Sequence, residues 1–146
     1  MQIVKLNETN SDLIFAFFKN ELGQDAWNLE QIKSSFNAGS TFFYGIFEKD
    51  ELVCLASILV SVDDINLLDI ATKTTHKRKG YARTLLNYLT SLKEPNQTMS
   101  LEVRSKNLPA INLYKGLGFK TLNIRKKYYK DGDDAYCMFL KTTNEN

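Results

Sequence analysis

Between Leu67 and Arg104 the chain is patterned strand, helix, strand. "INLLDIATK" is rich in β-formers. "MSLEVR" alternates apolar Met99, Leu101 and Val103 with polar Ser100, Glu102 and Arg104, which is strand periodicity. Between the two, Ala82, Leu85, Leu86, Leu89 and Leu92 fall at i, i+3, i+4, i+7 and i+10, the apolar stripe of one helix. A strand–helix–strand unit of this kind requires a parallel crossover. Hairpins flank this unit. "TFFYGIF" and "LVCLASILV" are separated by "EKDE", and "FKTLNIRKKYY" and "AYCMFL" by "KDGDD", Lys130 to Asp134. Antiparallel pairs around a parallel pair make a mixed sheet.

The remaining segments fill in around that sheet. "QIVKL" is a short first strand, and Leu13, Ile14, Phe17 and Phe18 mark a first helix. Asn28 followed by Gln31 is a capping-box start for a second. Asn107 caps a fourth, with Pro109 in its first turn and Gly118 as a left-handed stop. The expected order is β-α-α-β-β-β-α-β-α-β-β: an α/β (α+β) fold with a mixed sheet of about seven strands and helices on both faces. One domain over residues 1–146 accommodates it, without repeats or linkers.

Composition narrows the function classes. With 43% hydrophobic residues a packed core is feasible. Nineteen basic against 17 acidic residues leave a net charge of +2, too balanced for a nucleic-acid binder on electrostatics alone. The short apolar run Leu13 to Phe18 lacks the flanks of a signal peptide and the length of a membrane span. Cys54 and Cys137 lie in separate apolar runs without CxxC spacing, which suggests buried free thiols in a reducing cytoplasm. One histidine, His76, cannot make a metal site.

"HKRKGYAR" joins the third β-rich run to the strongest helix. Gly80 at the turn lets backbone approach a ligand, and the first N–H groups of a helix lack internal partners at the positive end of its dipole. Lys77, Arg78, Lys79 and Arg83 add charge where charge opposes the dipole, a poor choice for folding alone. A phosphate or pyrophosphate site explains the choice; a solvated basic turn is the structural alternative. The spacing is neither a P-loop nor GxGxxG.

Lys77 to Ala82 resembles the Q/R-x-x-G-x-G/A signature of the GCN5-related N-acetyltransferases, with Lys77 in the Gln or Arg position and Ala82 in that of the second glycine. The element order is also similar to that family's across nearly the whole chain. The second half, "LEVRSKNLPAINLYKGLGF" with "IRKKYY", resembles the branch that acetylates the N-terminal alanine of a small-subunit ribosomal protein. "DAWNLEQIKSSF" is similar to that branch's Trp-containing second helix.

The resemblance implies acetyl-CoA as cosubstrate, with no metal. Ile70, Ala71 and Thr72 would hold its pantetheine arm in a gap between strands, Arg78, Lys79, Gly80, Tyr81, Ala82 and Arg83 its pyrophosphate, and Asn107 would bond it from the next helix. It also implies Glu102 as general base and Tyr114 as general acid, a protein or peptide N-terminus as acceptor, and a cytoplasmic enzyme that binds no nucleic acid or membrane. The chemistry fits these residue types. An α-amine, with pKa about 7.7–8.0, is roughly one-tenth neutral near pH 7, far more than a lysine at about 10.4. A carboxylate can complete its deprotonation, and a phenol with pKa near 10 can protonate the departing thiolate.

Structural alternatives stand beside these roles. Glu102 and Arg104 could be an i,i+2 surface pair, and Tyr114 a core aromatic. Asp63, Asp64, Asp131, Asp133 and Asp134 could form an acidic rim that attracts a protonated N-terminus, or be ordinary turn residues. Tyr128 and Tyr129 could clamp a peptide or pair across strands. A lysine or small-amine acetyltransferase and a non-catalytic acetyl-CoA-binding module are the competing functions.

Overall fold

The computed structural model describes residues 1–141. Its elements follow the order expected from the sequence: β1 (Gln2–Lys5), α1 (Ser11–Leu22), α2 (Leu29–Ala38), β2 (Thr41–Glu48), β3 (Glu51–Val60), β4 (Asp64–Thr72), α3 (Tyr81–Ser91), β5 (Thr98–Arg104), α4 (Leu108–Gly116), β6 (Lys120–Arg125) and β7 (Ala135–Leu140). The strands form one sheet in the order β1-β2-β3-β4-β5-β7-β6. Every pair is antiparallel except β4 with β5. The helical crossover through α3 therefore produces the one parallel contact.

Strand alternation places one core on each face. Tyr44, Ile46, Ala56, Ile65, Leu67, Leu101 and Val103 join Leu85, Leu86 and Leu89 of α3 and Ile111 and Tyr114 of α4. On the other face Phe43 and Leu55 pack with Ile14 and Phe18 of α1 and Ile32 of α2. Leu85, Leu86 and Leu89 are completely buried, each contributing about 1.5–3 kcal/mol of apolar burial.

Local chemistry fixes the ends of the elements. Asn28 accepts from the Gln31 N–H at 2.8 Å, and the Gln31 side chain accepts from the Asn28 N–H at 2.8 Å, closing the expected capping box. Trp27 precedes this cap, so it lies before α2 rather than within it, and it packs with the cluster that holds Ile32, four residues past the cap. The β2–β3 hairpin turns on Lys49 (φ 49°) and Asp50 (φ 67°), two left-handed residues whose twist suits a two-residue connection.

Two expectations need correction. The strand "FKTLNIRKKYY" stops at Arg125. Lys127 is left-handed (φ 51°), its N–H donates to the Asp134 carboxylate at 2.9 Å, and the Tyr129 N–H donates to the Asp133 carbonyl at 3.2 Å. Those bonds replace the ladder, so residues 126–134 form a long loop rather than a tight hairpin turn. Cys54 is buried, as expected, but Cys137 is only half-buried, because it lies opposite Glu102 on an open stretch of the sheet.

Leu86→Ala should lower unfolding stability by about 2–5 kcal/mol, whereas Leu122→Ala, at a side chain 67% exposed, should stay within about 0.5 kcal/mol. Equilibrium urea denaturation of both variants checks the contrast.

Candidate active site

The parallel pair does not run its full length. β4 and β5 pair at Asp64↔Thr98, Ile65↔Met99, Asn66↔Ser100 and Leu67↔Leu101, and there the pairing ends. At the same level β4 carries a bulge: Leu67 lies opposite Ile58 and Asp69 opposite Ser57, leaving Leu68 unmatched. A bulge bends its strand and increases local twist. Beyond it Asp69 to Thr72 pair with β3 alone, and a wedge opens between β4 and β5.

The peptide groups along that wedge can be assigned from alternation. The Lys73 N–H donates to the Val53 carbonyl on β3 at 2.8 Å. Counting back by two, Ala71 also turns toward β3, and Ile70 and Thr72 turn their N–H and C=O groups into the gap. These groups lack the strand partner that β5 supplies lower down.

Two cavities meet in the wedge. The first, about 560 Å³, runs from Ile70, Ala71 and Thr72 past Gly80, Ala82 and Arg83 to Asn107. Its rim is the turn into α3. Gly80 adopts φ 85°, and no side chain caps the helix there. The first intrahelical bond is from the Thr84 N–H to the Gly80 carbonyl, 3.0 Å. The N–H groups of Tyr81, Ala82 and Arg83 thus lack helical acceptors at the positive end of the dipole, which suits a phosphate. His76, Lys77 and Arg78 border the same space, Arg78 in the left-handed region at φ 65°. Lys79 is exposed and stands outside the lining. Tyr81 points its hydroxyl away from the cavity's centre, donating to the Glu48 carboxylate at 2.6 Å and tying α3 to the β2–β3 hairpin.

The second cavity, about 350 Å³, continues on the α1/α2 face. Asp69, Glu102 and Arg104 line it, with Trp27 and Tyr129 opposite. Ile70, Asn107, Leu22 and Tyr114 belong to both cavities. Asn107 caps α4, accepting from the Ala110 N–H at 3.3 Å. Tyr114 is 6% exposed. Burial, reinforced by the Asp69 charge, pushes its phenol above the ordinary value, so it is a protonated donor at any physiological pH.

Arg104 has no bond to Glu102. Its guanidinium holds Asp25 at 3.0 Å, Asp131 at 2.9 Å and Asp133 at 3.0 Å, and stacks 4.1 Å from the centre of the Tyr129 ring. One side chain therefore staples the turn after α1 to the 126–134 loop across the cavity mouth. Asp131 and Asp133 are engaged by this arginine, and Asp134 by Lys126 and the Lys127 N–H. Asp64 accepts from Thr98 at 2.9 Å and Ser100 at 2.7 Å, and Asp63 from Ser61 at 3.3 Å. The acidic residues at the loop tips are thus spoken for by internal partners, as turn chemistry requires. Tyr128 and Tyr129 sit edge-to-face in the loop, ring centres 5.0 Å apart, rather than pairing across strands.

The sequence thus located the two walls of the wedge and the turn at its rim. It passed over the turn after α1, whose Leu22 and Asp25 line the second cavity, and it passed over Asp69. A lone carboxylate inside the β-rich "INLLDIATK" was the available signal for the latter.

A sheet that parts beside a glycine turn, over a helix start whose first N–H groups lack helical acceptors, has the form of an acetyltransferase scaffold. The chain belongs to the GCN5-related N-acetyltransferases: the family model described as FR47-like protein matches residues 43–129. It is 32% identical over 130 residues to the ribosomal protein bS18 alanine N-acetyltransferase of Salmonella typhimurium, covering 79% of this chain and 88% of that protein. It is 42% identical over 76 residues to an N-alpha-acetyltransferase of Sulfurisphaera tokodaii, covering 50% of this chain and 46% of the relative. The crystal structure of the ribosomal-protein-S18-alanine N-acetyltransferase from Escherichia coli superposes with a TM-score of 0.87 at 28% identity, covering 99% of this chain and 97% of that one. The protein is an N-acetyltransferase.

Arg104→Gln should speed amide hydrogen exchange in the 126–134 loop and in the turn Gly23–Asp25, and leave β3 and α3 unchanged. Exchange followed by mass spectrometry reports both regions.

Proposed function

We propose that this enzyme transfers the acetyl group of acetyl-CoA to the α-amine of a protein N-terminus, with the N-terminal alanine of a small-subunit ribosomal protein as acceptor. The similarity to enzymes acting on ribosomal protein bS18 over 130 residues supports the acceptor. The observation that carries the chemistry is the meeting of the two cavities at Ile70, Asn107 and Tyr114. One cavity has the helix start and open strand edge for a nucleotide and its arm. The other has carboxylates and an aromatic loop for a peptide.

In this reading the pyrophosphate rests on the N–H groups of Tyr81, Ala82 and Arg83, with Arg78 and Lys79 adding charge around Gly80. The pantetheine arm lies along Ile70, Ala71 and Thr72, bonding to the groups that alternation turns into the gap. Asn107 bonds it from the start of α4. The thioester then falls at the junction of the cavities, over Tyr114. The peptide enters between Trp27 and Tyr129, its amine toward Glu102.

Glu102 takes a proton from the attacking nitrogen directly or through one water. The nitrogen bonds to the acetyl carbon, the C–S bond breaks, and Tyr114 donates its proton to the sulfur. A buried phenol suits that step, because it is fully protonated before the thiolate forms.

Tyr114→Phe removes only the hydroxyl and should keep the fold while lowering kcat by about 10²–10⁴. Near-normal turnover would return Tyr114 to a packing role. Gly80→Glu should abolish acetyl-CoA binding in calorimetry without unfolding the protein, since the Cβ there meets no atom within 4 Å but φ 85° is strained and the added charge repels phosphate. Acetylation of an alanine-starting peptide, measured beside a lysine peptide with a blocked N-terminus and a polyamine, tests the acceptor. Faster turnover of either competitor would overturn it.

A further inference from the structure

We propose that Asp69 is a second proton-accepting residue of this site: it receives the acceptor's ammonium and takes the first of the two protons that its nitrogen must lose. The assignment rests on the acceptor proposed above.

A protonated amine has three hydrogens on nitrogen, and the amide product has one. One proton must leave before attack, to expose the lone pair. A second must leave as the N–C bond forms. Tyr114 returns one proton to sulfur, and the net balance is one proton released to solvent. Two removals call for two acceptors, for one acceptor emptied in mid-reaction, or for the minor share of amine that arrives already neutral. The cavity holds two carboxylates.

Their placement follows from the bulge. Without the extra Leu68, β4 would keep its alternation and residue 69 would share the α3/α4 face with Ile65 and Leu67. With it, Asp69 comes opposite Ser57 and turns to the α1/α2 face. That is the face of Glu102, whose neighbours Leu101 and Val103 point into the opposite core. Asp69 and Glu102 thus stand on the two sides of the wedge, on one face of the sheet, and line one cavity with Tyr114. Asp69 directly precedes Ile70, at the junction where the thioester would lie.

Among the described residues, none gives Asp69 a fixed counter-charge. The charged and titratable groups around it are Asp25 from the turn after α1, Glu102 and Arg104 from β5, Tyr114 from α4, and Tyr128 and Tyr129 from the 126–134 loop. Arg104, the cation among these, is held by Asp25, Asp131 and Asp133. Protein packs around most of the carboxyl, although its edge still meets solvent. Burial, and secondarily the charge of Asp25, pushes it up to about 7. A base is most effective when its pKa lies near the working pH, and this value is close to that of an α-amine, about 7.7–8.0.

Holding this group lowers stability. A carboxyl raised in the folded state is penalised as pH rises from its unfolded value, about 3.9, through about 7, and the penalty is complete above that. Asp69→Asn should therefore raise Tm at pH 8 and change it little at pH 4.

The test compares wild type, Asp69→Asn and Glu102→Gln on two acceptors: an alanine-starting peptide and the same peptide beginning with aminooxyacetyl, whose terminal nitrogen is uncharged at neutral pH and loses only one proton. At pH 7, Asp69→Asn should lose about tenfold in kcat/KM on the alanine peptide, because only roughly one-tenth of that amine is neutral without help, it should lose little on the aminooxy peptide, and the gap should close toward pH 9.5. Glu102→Gln should lose on both acceptors. Equal losses of Asp69→Asn on the two would mark a structural role and overturn the assignment, as would no loss on the alanine peptide. If wild type acetylates neither peptide, the N-terminal acceptor has failed, and the role of Asp69 falls with it.

Discussion

The structure depends on where two parallel strands stop pairing. β4 and β5 hold together through Leu67 and Leu101 and then separate beside the bulge at Leu68. Pairing below that point anchors the α3 crossover in the sheet and buries Leu67 and Leu101. Parting above it leaves a strand edge inside the molecule. Interior edges are normally covered, since unpaired backbone groups away from water are costly. An edge kept open at the centre of a sheet is a binding surface for an extended chain. The proposed pantetheine arm, with its own amides, has the chemistry to complete it.

The elements around the wedge can be understood as its supports. α3 begins where β4 ends, so its unsatisfied N–H groups face the outer mouth of the gap, while α4 begins where β5 ends and brings Asn107 and Tyr114 to its floor. Arg104 closes the other side by joining the turn after α1 to the 126–134 loop. Each of these placements is a consequence of connectivity: the loops after adjacent parallel strands gather at their carboxyl ends, where open sheets bind ligands. The proposed chemistry then needs only groups that this end of the sheet already presents.

Much of this was legible in the sequence because it is written in local signals. The stripe of Leu85, Leu86 and Leu89, the alternation of "MSLEVR" and the pair Asn28 and Gln31 each encode an element through its own period or cap. Glycine at position 80 and the basic residues around it marked the turn. What escaped was determined by tertiary contacts. The last strand pair looked longer because "KKYY" has β propensity, but the bonds of Lys127 and Tyr129 to Asp134 and Asp133 turned the chain away. The partners of Arg104 lie 79 and 27–29 residues away in sequence, beyond any local pattern. Asp69 was hidden for a different reason. A bulge changes the face of every residue after it, and a β-rich run does not announce where its alternation slips.

The central claim is that the open edge of β4 is where acetyl-CoA lies. Residue-resolved amide hydrogen exchange with and without acetyl-CoA tests it directly. The account predicts new protection at Ile70 and Thr72, which alternation turns into the gap, and at Tyr81 to Arg83. Ala71 and Lys73, turned toward β3, should change little. Protection confined to the 126–134 loop or to the α1/α2 face, with Ile70 and Thr72 exchanging as before, would contradict it.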